Sequence, residues 1–379
     1  MGYRGSRNDY LVSTYSYGEK VRNTTVAKDV RIELLRVLGA LSVFTYHFMG
    51  DVDTVLRPGF SDSLLWATIR HVSGPFGVSV FILVSGIVFG WAWSRPAGPV
   101  RFVQRRLKSL FPVYWWIALP LIGAALLTHR MGFGELWKTP IWLSGLGILS
   151  PRTFFPVVDG WWYMTLALQL AVSYPFLRKL QERIGDSWFL FFSAAVCTMS
   201  VLLLNAMGLQ YAVAGFVGSR LLEFACGMVV GRHVSSGEKA LPQWRELLVL
   251  LLVCVAGVAV SRTLSGASAL AVFVVVIVLA VMRNSQTHLA HMVTTAGGLT
   301  FAFFLSHSPW AKPILTVLSS VTSTIGAMVA GGFVALTFAV LVAWFFKWSF
   351  DSVLRAGANY GARGRATESP NSHQGRSSG

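Results

Sequence analysis

The sequence predicts an all-α polytopic membrane protein of about ten transmembrane helices, with both termini cytoplasmic. Three observations lead there. Of 379 residues, 54% are hydrophobic and only 13% are charged, at a mean hydropathy of +0.58. Apolar runs of about 18 residues or more recur along the chain. The 32 Lys and Arg residues, which against 16 Asp and Glu give a formal net charge of +16, sort by side of the membrane rather than scattering. That sorting accounts for the charge without nucleic acid, so the bilayer is the expected partner.

The elements follow in order. The segment 1–30 is polar and lacks an apolar core followed by a small-residue cleavage site, so it reads as a cytoplasmic start rather than a cleaved signal peptide. Spans are expected at 32–51, 75–94 and 110–128, the last entered through Arg101, Arg105, Arg106 and Lys108. The stretch 138–148 is apolar but short and glycine-broken, which suits a re-entrant or loop-packing element. Asp159, Trp161 and Trp162 open the fourth span, 160–177, and Trp161 fits an interfacial aromatic belt. The remaining spans are placed at 188–206, 213–231, 246–261, 267–282, 294–311 and 325–346. This frame leaves only Arg57, Arg70, Arg130, Lys138, Arg152, Arg262 and Lys312 outside, with Arg36 and Arg220 inside spans. Counting 138–148 as an eleventh span would reverse everything after it and destroy the bias. Residues 31–350 thus form one membrane domain, and 351–379 read as a disordered basic tail. Cys197, Cys226 and Cys254 lie far apart within apolar runs, the pattern of small buried hydrophobes rather than a disulfide frame or a zinc site. No metal is expected.

Ionisable groups inside spans are costly and mark cavities or chemistry. His47 follows Arg36 by eleven residues, about three helical turns, so both lie on one face ~16 Å apart. Counting from the expected span ends places His47, His307, Arg220, Glu223, Asp159 and Trp162 in one outer layer. Arg220 and Glu223, three residues apart, either join the chemistry or form a buried salt bridge. Asp51, four residues past His47, either orients its imidazole or is a solvated loop acid. The basic run before the third span either contacts lipid or holds the phosphates of a cytosolic donor.

These elements, in this order, resemble the acyltransferase-3 family of integral membrane acyltransferases over most of residues 29–312. Glu33-x-x-Arg36, ten residues and then His47 is similar to its opening motif. Gly77-Val-Ser-Val-Phe-Ile-Leu-Val-Ser85-Gly86 is similar to its second-span signature, and Arg106 before Pro112 and Tyr114-Trp115 to its basic turn. Trp162 with Pro175, Arg220-Leu-Leu-Glu223-Phe-x-x-Gly227-Met228 and His307-x-Pro309 complete the set. Two departures stand out: Ser109 replaces a second arginine, with Lys108 adjacent, and Ala167 replaces an acid, with Gln169 two positions on.

The resemblance implies transfer of an acyl group, acetyl above all, from a cytoplasmic acyl-CoA (acetyl-CoA) to a hydroxyl of a sugar-containing cell-surface glycan or glycolipid at the plasma membrane. It casts His47 as general base or transient acyl carrier, with Arg36, Arg106 and Lys108 on the donor's polar groups. Ser85 and Gly86 would let the donor arm pass close to backbone, or else pack helices. Arg220 or His307 would stabilise the oxyanion, while Asp159, Trp162 and His307 would meet the acceptor. A transporter with an Arg/His/Glu path is the rival class, although no repeated halves occur. Acylation of a cytosolic small molecule such as a macrolide is the variant within the family. The oligomeric state is not legible.

Overall fold

The computed structural model describes residues 29–56, 63–91, 98–147, 157–235, 265–281 and 288–367. Among these residues the chain is all-helical, with no strand. The helices are α1 (Val30–Val55), α2 (Leu64–Trp91), α3 (Pro99–Leu127), α4 (Thr139–Leu143) and α5 (Trp162–Ala206). They continue as α6 (Leu221–Ser235), α7 (Ser265–Val281), α8 (His288–Ser306), α9 (Ala311–Ser319) and α10 (Thr324–Thr367). Six of them, α1, α2, α3, α5, α8 and α10, are long and apolar enough to cross a membrane. The protein is a multi-pass membrane protein.

Several elements differ from the sequence expectation for identifiable reasons. The spans expected at 160–177 and 188–206 do lie on two helices, the two arms of α5, which part at Gly185 (φ 78°, ψ 168°), where the backbone is not helical. Only glycine adopts that backbone without strain. The span expected from 213 is not helical until Leu221, because 3-10 turns occupy Gln210–Gly215 and Gly218–Arg220. The Gln169 amide holds this break. It donates to the Gly215 carbonyl (2.8 Å) and accepts from the Val217 N–H (3.0 Å), replacing bonds that a longer helix would supply.

Within the stretch 138–148, the described residues 138–147 form a packed connector around α4. Trp142 is fully buried there. Tyr114 and Trp115 of α3 donate to the carbonyls of Trp142 and Leu143, both at 2.8 Å. The final helix continues to Thr367, so the tail expected to be disordered from 351 starts as helix. Extending an existing helix is cheap once it is nucleated. Residues 1–28, the span expected at 246–261 and residues 368–379 lie outside the described part.

The core has two halves. One gathers mainly α2, α5, α6 and α7, the other mainly α3, α8, α9 and α10, and α1 contributes to both. Glycines set the closest approaches. A Cβ at Gly86 would strike the Phe224 carbonyl, and one at Gly227 the Leu83 carbonyl, so α2 and α6 meet backbone to backbone. Gly77 allows the same against Gly39 of α1. We therefore expect Gly227→Ala to destabilise the protein by about 1–3 kcal/mol through overpacking. Thermal unfolding in detergent would show a lower Tm. Gly123→Ala, whose added methyl meets nothing within 4 Å, should leave Tm unchanged or slightly raised.

Candidate functional site

One face of α1 organises the site. Asp29 caps the helix by accepting from the Arg31 N–H at 3.0 Å. One turn on, buried Glu33 accepts from Arg36 Nη1 at 2.8 Å. Gly297 of α8 makes room for Glu33, since a Cβ there would collide with the carboxylate. Glu33 Oε2 has no hydrogen-bond partner among the described residues.

Three further helices meet Arg36. Arg106 turns inward from α3 and lies over the Phe89 ring, 4.2 Å from its centroid. The two guanidinium groups are near enough to act electrostatically on each other and on the Tyr163 hydroxyl, which the Ser85 side chain neighbours. Arg101, Arg105 and Lys108 of the same basic run stay exposed. The helical period thus splits the run, with Arg106 inside and the others at the rim. Two cations near one carboxylate leave an unbalanced positive charge, which suits a phosphate-bearing ligand.

Three turns above Arg36, His47 meets His307 with ring centroids 5.1 Å apart. Their sequence separation hides this contact; the depth count from the sequence expects the two only at a similar level. His307 is 1% exposed. Its Nδ1–H donates to the carbonyls of Phe304 (2.9 Å) and Phe303 (3.2 Å), because carbonyls can only accept. Nε2 therefore carries a lone pair, and it has no partner among the described residues. A neutral ring in this tautomer has no N–H left for an oxyanion, so that expected role does not fit His307. Rings of Phe44, Phe303 and Phe304 wall it in. His47 is half-buried, with Tyr46 edge-on at 5.1 Å.

The other expected site residues fall as follows. Asp51 is half-buried one turn beyond His47. Trp162 is half-buried and packs edge-on to Tyr163. Trp161 is not an interfacial tryptophan. It is fully buried and donates its indole N–H to the Leu305 carbonyl at 3.0 Å, fixing the end of α8 just before His307. Asp159 opens the 3-10 turn Asp159–Trp161, and its side chain lies outside the described part.

Arg220 and Glu223 are paired at 3.0 Å and both buried. Glu223 Oε1 also accepts from Ser79 of α2 (2.7 Å) and from Ser268 of α7. This is an interhelical tie, and it is displaced from the histidines. Ser79 lies five residues, about 7.5 Å, along α2 from Gly74, which packs on Tyr46. The single outer layer expected from the sequence fails here because α6 starts at Leu221, not at 213. Gly86, expected on the donor path, instead packs α2 against α6. Gln169, near the missing acid at Ala167, is committed to its loop tie.

Tyr163 and Phe89 were not anticipated as site residues. Phe89 was within reach, one helical turn past Ser85 and so on the same face of α2.

A family model described as an acyltransferase domain matches residues 29–344. No curated protein and no solved structure matches the chain.

If Arg220 and Glu223 tie helices together, Arg220→Met alone strands a buried carboxylate and should cost about 3–5 kcal/mol. Arg220→Met combined with Glu223→Leu should recover most of that loss, since the two charges disappear together. Thermal unfolding of the single and double variants in detergent checks the order.

Proposed function

The chain belongs to the acyltransferase-3 family of membrane acyltransferases, and from that premise we propose that it moves an acyl group from a cytoplasmic acyl-CoA to a hydroxyl of a sugar-containing cell-surface glycan or glycolipid. Acetyl-CoA is the proposed donor and the plasma membrane the proposed location. The proposal includes about ten spans and cytoplasmic termini, because that frame keeps the basic loops inside.

One observation carries the reading. The face of α1 that holds Arg36 beside inward-turned Arg106 also holds His47 against His307, three turns higher. A donor with phosphates at one end and a thioester at the other needs such a polarised path. Arg36 and Arg106 would hold the phosphates, with Lys108 at the rim. The Ser85–Tyr163 pair and Phe89 would line the way for the arm. Asp159 and Trp162 would meet the acceptor, the indole stacking on a sugar face.

A hydroxyl is a weak nucleophile at neutral pH and needs a base during attack. His47 is half-buried at the upper end and takes that role. The acceptor oxygen bonds to the thioester carbonyl carbon as its proton passes to His47. The C–S bond then breaks, and the thiolate leaves with that proton as free thiol. No change of oxidation state occurs. Transfer in two halves through an acyl-His47 gives the same products.

Under this reading, His47→Ala should lower thiol release from acetyl-CoA by about 10²–10⁴-fold, measured in proteoliposomes with a cell-surface glycan extract as acceptor. Arg106→Ala should raise KM for acetyl-CoA more than it lowers kcat, since it removes a binding contact remote from the bond that breaks. Mass spectrometry of surface glycans and glycolipids from a deletion strain should show loss of one acyl mass, restored by the wild-type gene and not by His47→Ala. Unchanged acyl esters in all strains would refute surface modification. Substrate crossing the membrane without thiol release would identify a transporter instead.

A further inference from the structure

His307 presents an anomaly that the proposed reaction does not use. Its Nδ1–H is fixed by two carbonyls of the last turn of α8, the helix it follows, which leaves Nε2 as a lone-pair acceptor on the ring edge away from that anchor. That atom is buried with no partner among the described residues. Buried polar atoms in folded proteins are nearly always satisfied, so an orphan needs an explanation. His307 itself is walled by Phe44, Phe303 and Phe304, and the adjacent ionisable ring is that of His47.

The separation of the two rings is informative. Two imidazoles joined by an N–H···N bond of about 3 Å have centroids roughly 5 Å apart. The observed value is 5.1 Å, at an interplanar angle of 58°. The rings already stand at the centroid separation that such a bond requires.

We propose that His307 is the positioning residue of the catalytic base: its Nε2 accepts the N–H of His47 and so fixes which nitrogen of His47 faces the acceptor hydroxyl. The inference rests on the acyltransferase reading above for its catalytic consequence, though the pairing itself can be measured without turnover. A histidine that acts as base must present a lone pair to its substrate, and the partner of its other nitrogen decides the tautomer. Carboxylates commonly fill that place. Here a second imidazole fills it, braced in turn by backbone carbonyls. When His47 takes the hydroxyl proton, the N–H on its other nitrogen keeps its bond to His307, and no proton need reach His307. The proton gained from the hydroxyl leaves on the thiol, so the cycle closes.

Among the described residues, the charged and titratable groups near His47 include Tyr46 and Asp51 on α1, His307 following α8, and the Arg70–Asp53 pair (3.3 Å) near Gly50, which joins α2 to α1. Asp51, one turn away on the same helix, is the competing orienter.

Three substitutions separate positioning from packing. His307→Asn keeps an amide donor where Nδ1–H meets the carbonyls but has no atom at Nε2. His307→Gln reaches the Nε2 position with an oxygen that can accept. Asp51→Asn removes the competing carboxylate. Two-bond 1H–15N spectra of [15N]histidine-labelled full-length protein in lipid report the tautomer of His47 directly. We expect one tautomer in the wild type and in Asp51→Asn, a mixture in His307→Asn, and recovery of the single form in His307→Gln. Thiol release from acetyl-CoA should fall about 10–100-fold in kcat for His307→Asn with KM unchanged, and recover in part for His307→Gln. An unchanged His47 tautomer in His307→Asn would overturn the pairing, as would a mixture produced by Asp51→Asn alone. If the spectra behave as expected while the wild type releases no thiol, the pairing stands and the acyltransferase reading of the site falls.

Discussion

A charged or hydrogen-bonding group inside an apolar helical bundle needs a partner, and this requirement shapes the whole molecule. Arg36 has Glu33, Arg220 has Glu223, and Glu223 in turn gathers Ser79 and Ser268 from two other helices. Toward the other end of α6, Asp186 receives Arg232 and His233 at 3.1 and 3.2 Å. Against that background the exceptions are informative. Glu33 Oε2 and His307 Nε2 are buried with no partner among the described residues, as are Thr139 Oγ1 and Gln181 Oε1 elsewhere, and the first two lie at the two ends of one face of α1. Arg106 rests on an aromatic ring, with an arginine as its charged neighbour. The incomplete pairings at Glu33 and His307 fall on the path proposed for the donor.

Packing gives these groups their positions. Gly77, Gly86 and Gly227 bring α1, α2 and α6 to backbone contact, which aligns Ser85 and Phe89 with Tyr163 and Arg106. Gly297 admits Glu33 against α8, and Glu33 then holds Arg36. Trp161 ties the 3-10 turn before α5 to Leu305, two residues from His307. Each glycine or tryptophan that looks structural therefore fixes one member of the site. Rigid helices are well suited to this, since precise constellations are easier to hold on helices than on loops.

Much of this was legible in the sequence because it depends on helical periodicity. Arg36 and His47 share a face by spacing alone, and counting residues from the membrane boundary brought His307 to the level of His47. The same counting failed for Arg220 and Glu223. A side-chain amide, Gln169, delays the start of α6, and nothing in the apolar pattern from 213 onward announces that tertiary contact. Gly86 was ambiguous for a different reason. A small residue in a membrane helix serves ligand passage and helix packing equally well, and only the facing Gly227 decides between them. Trp161 sat where belt tryptophans sit, but a carbonyl two residues ahead of His307 captured its indole. The basic run in the first turns of α3 showed its charge in the sequence, while the inward turn of Arg106 required Phe89 beneath it.

The central claim is that one face of α1 joins a phosphate-binding end to a catalytic end. A structure determined with a non-hydrolysable thioether analogue of acetyl-CoA tests it most directly. The account predicts phosphate density beside Arg36 and Arg106, with the arm passing Ser85 and Tyr163 and the acyl carbon resting at His47. An analogue bound elsewhere, or bound with its acyl end far from His47, would contradict it.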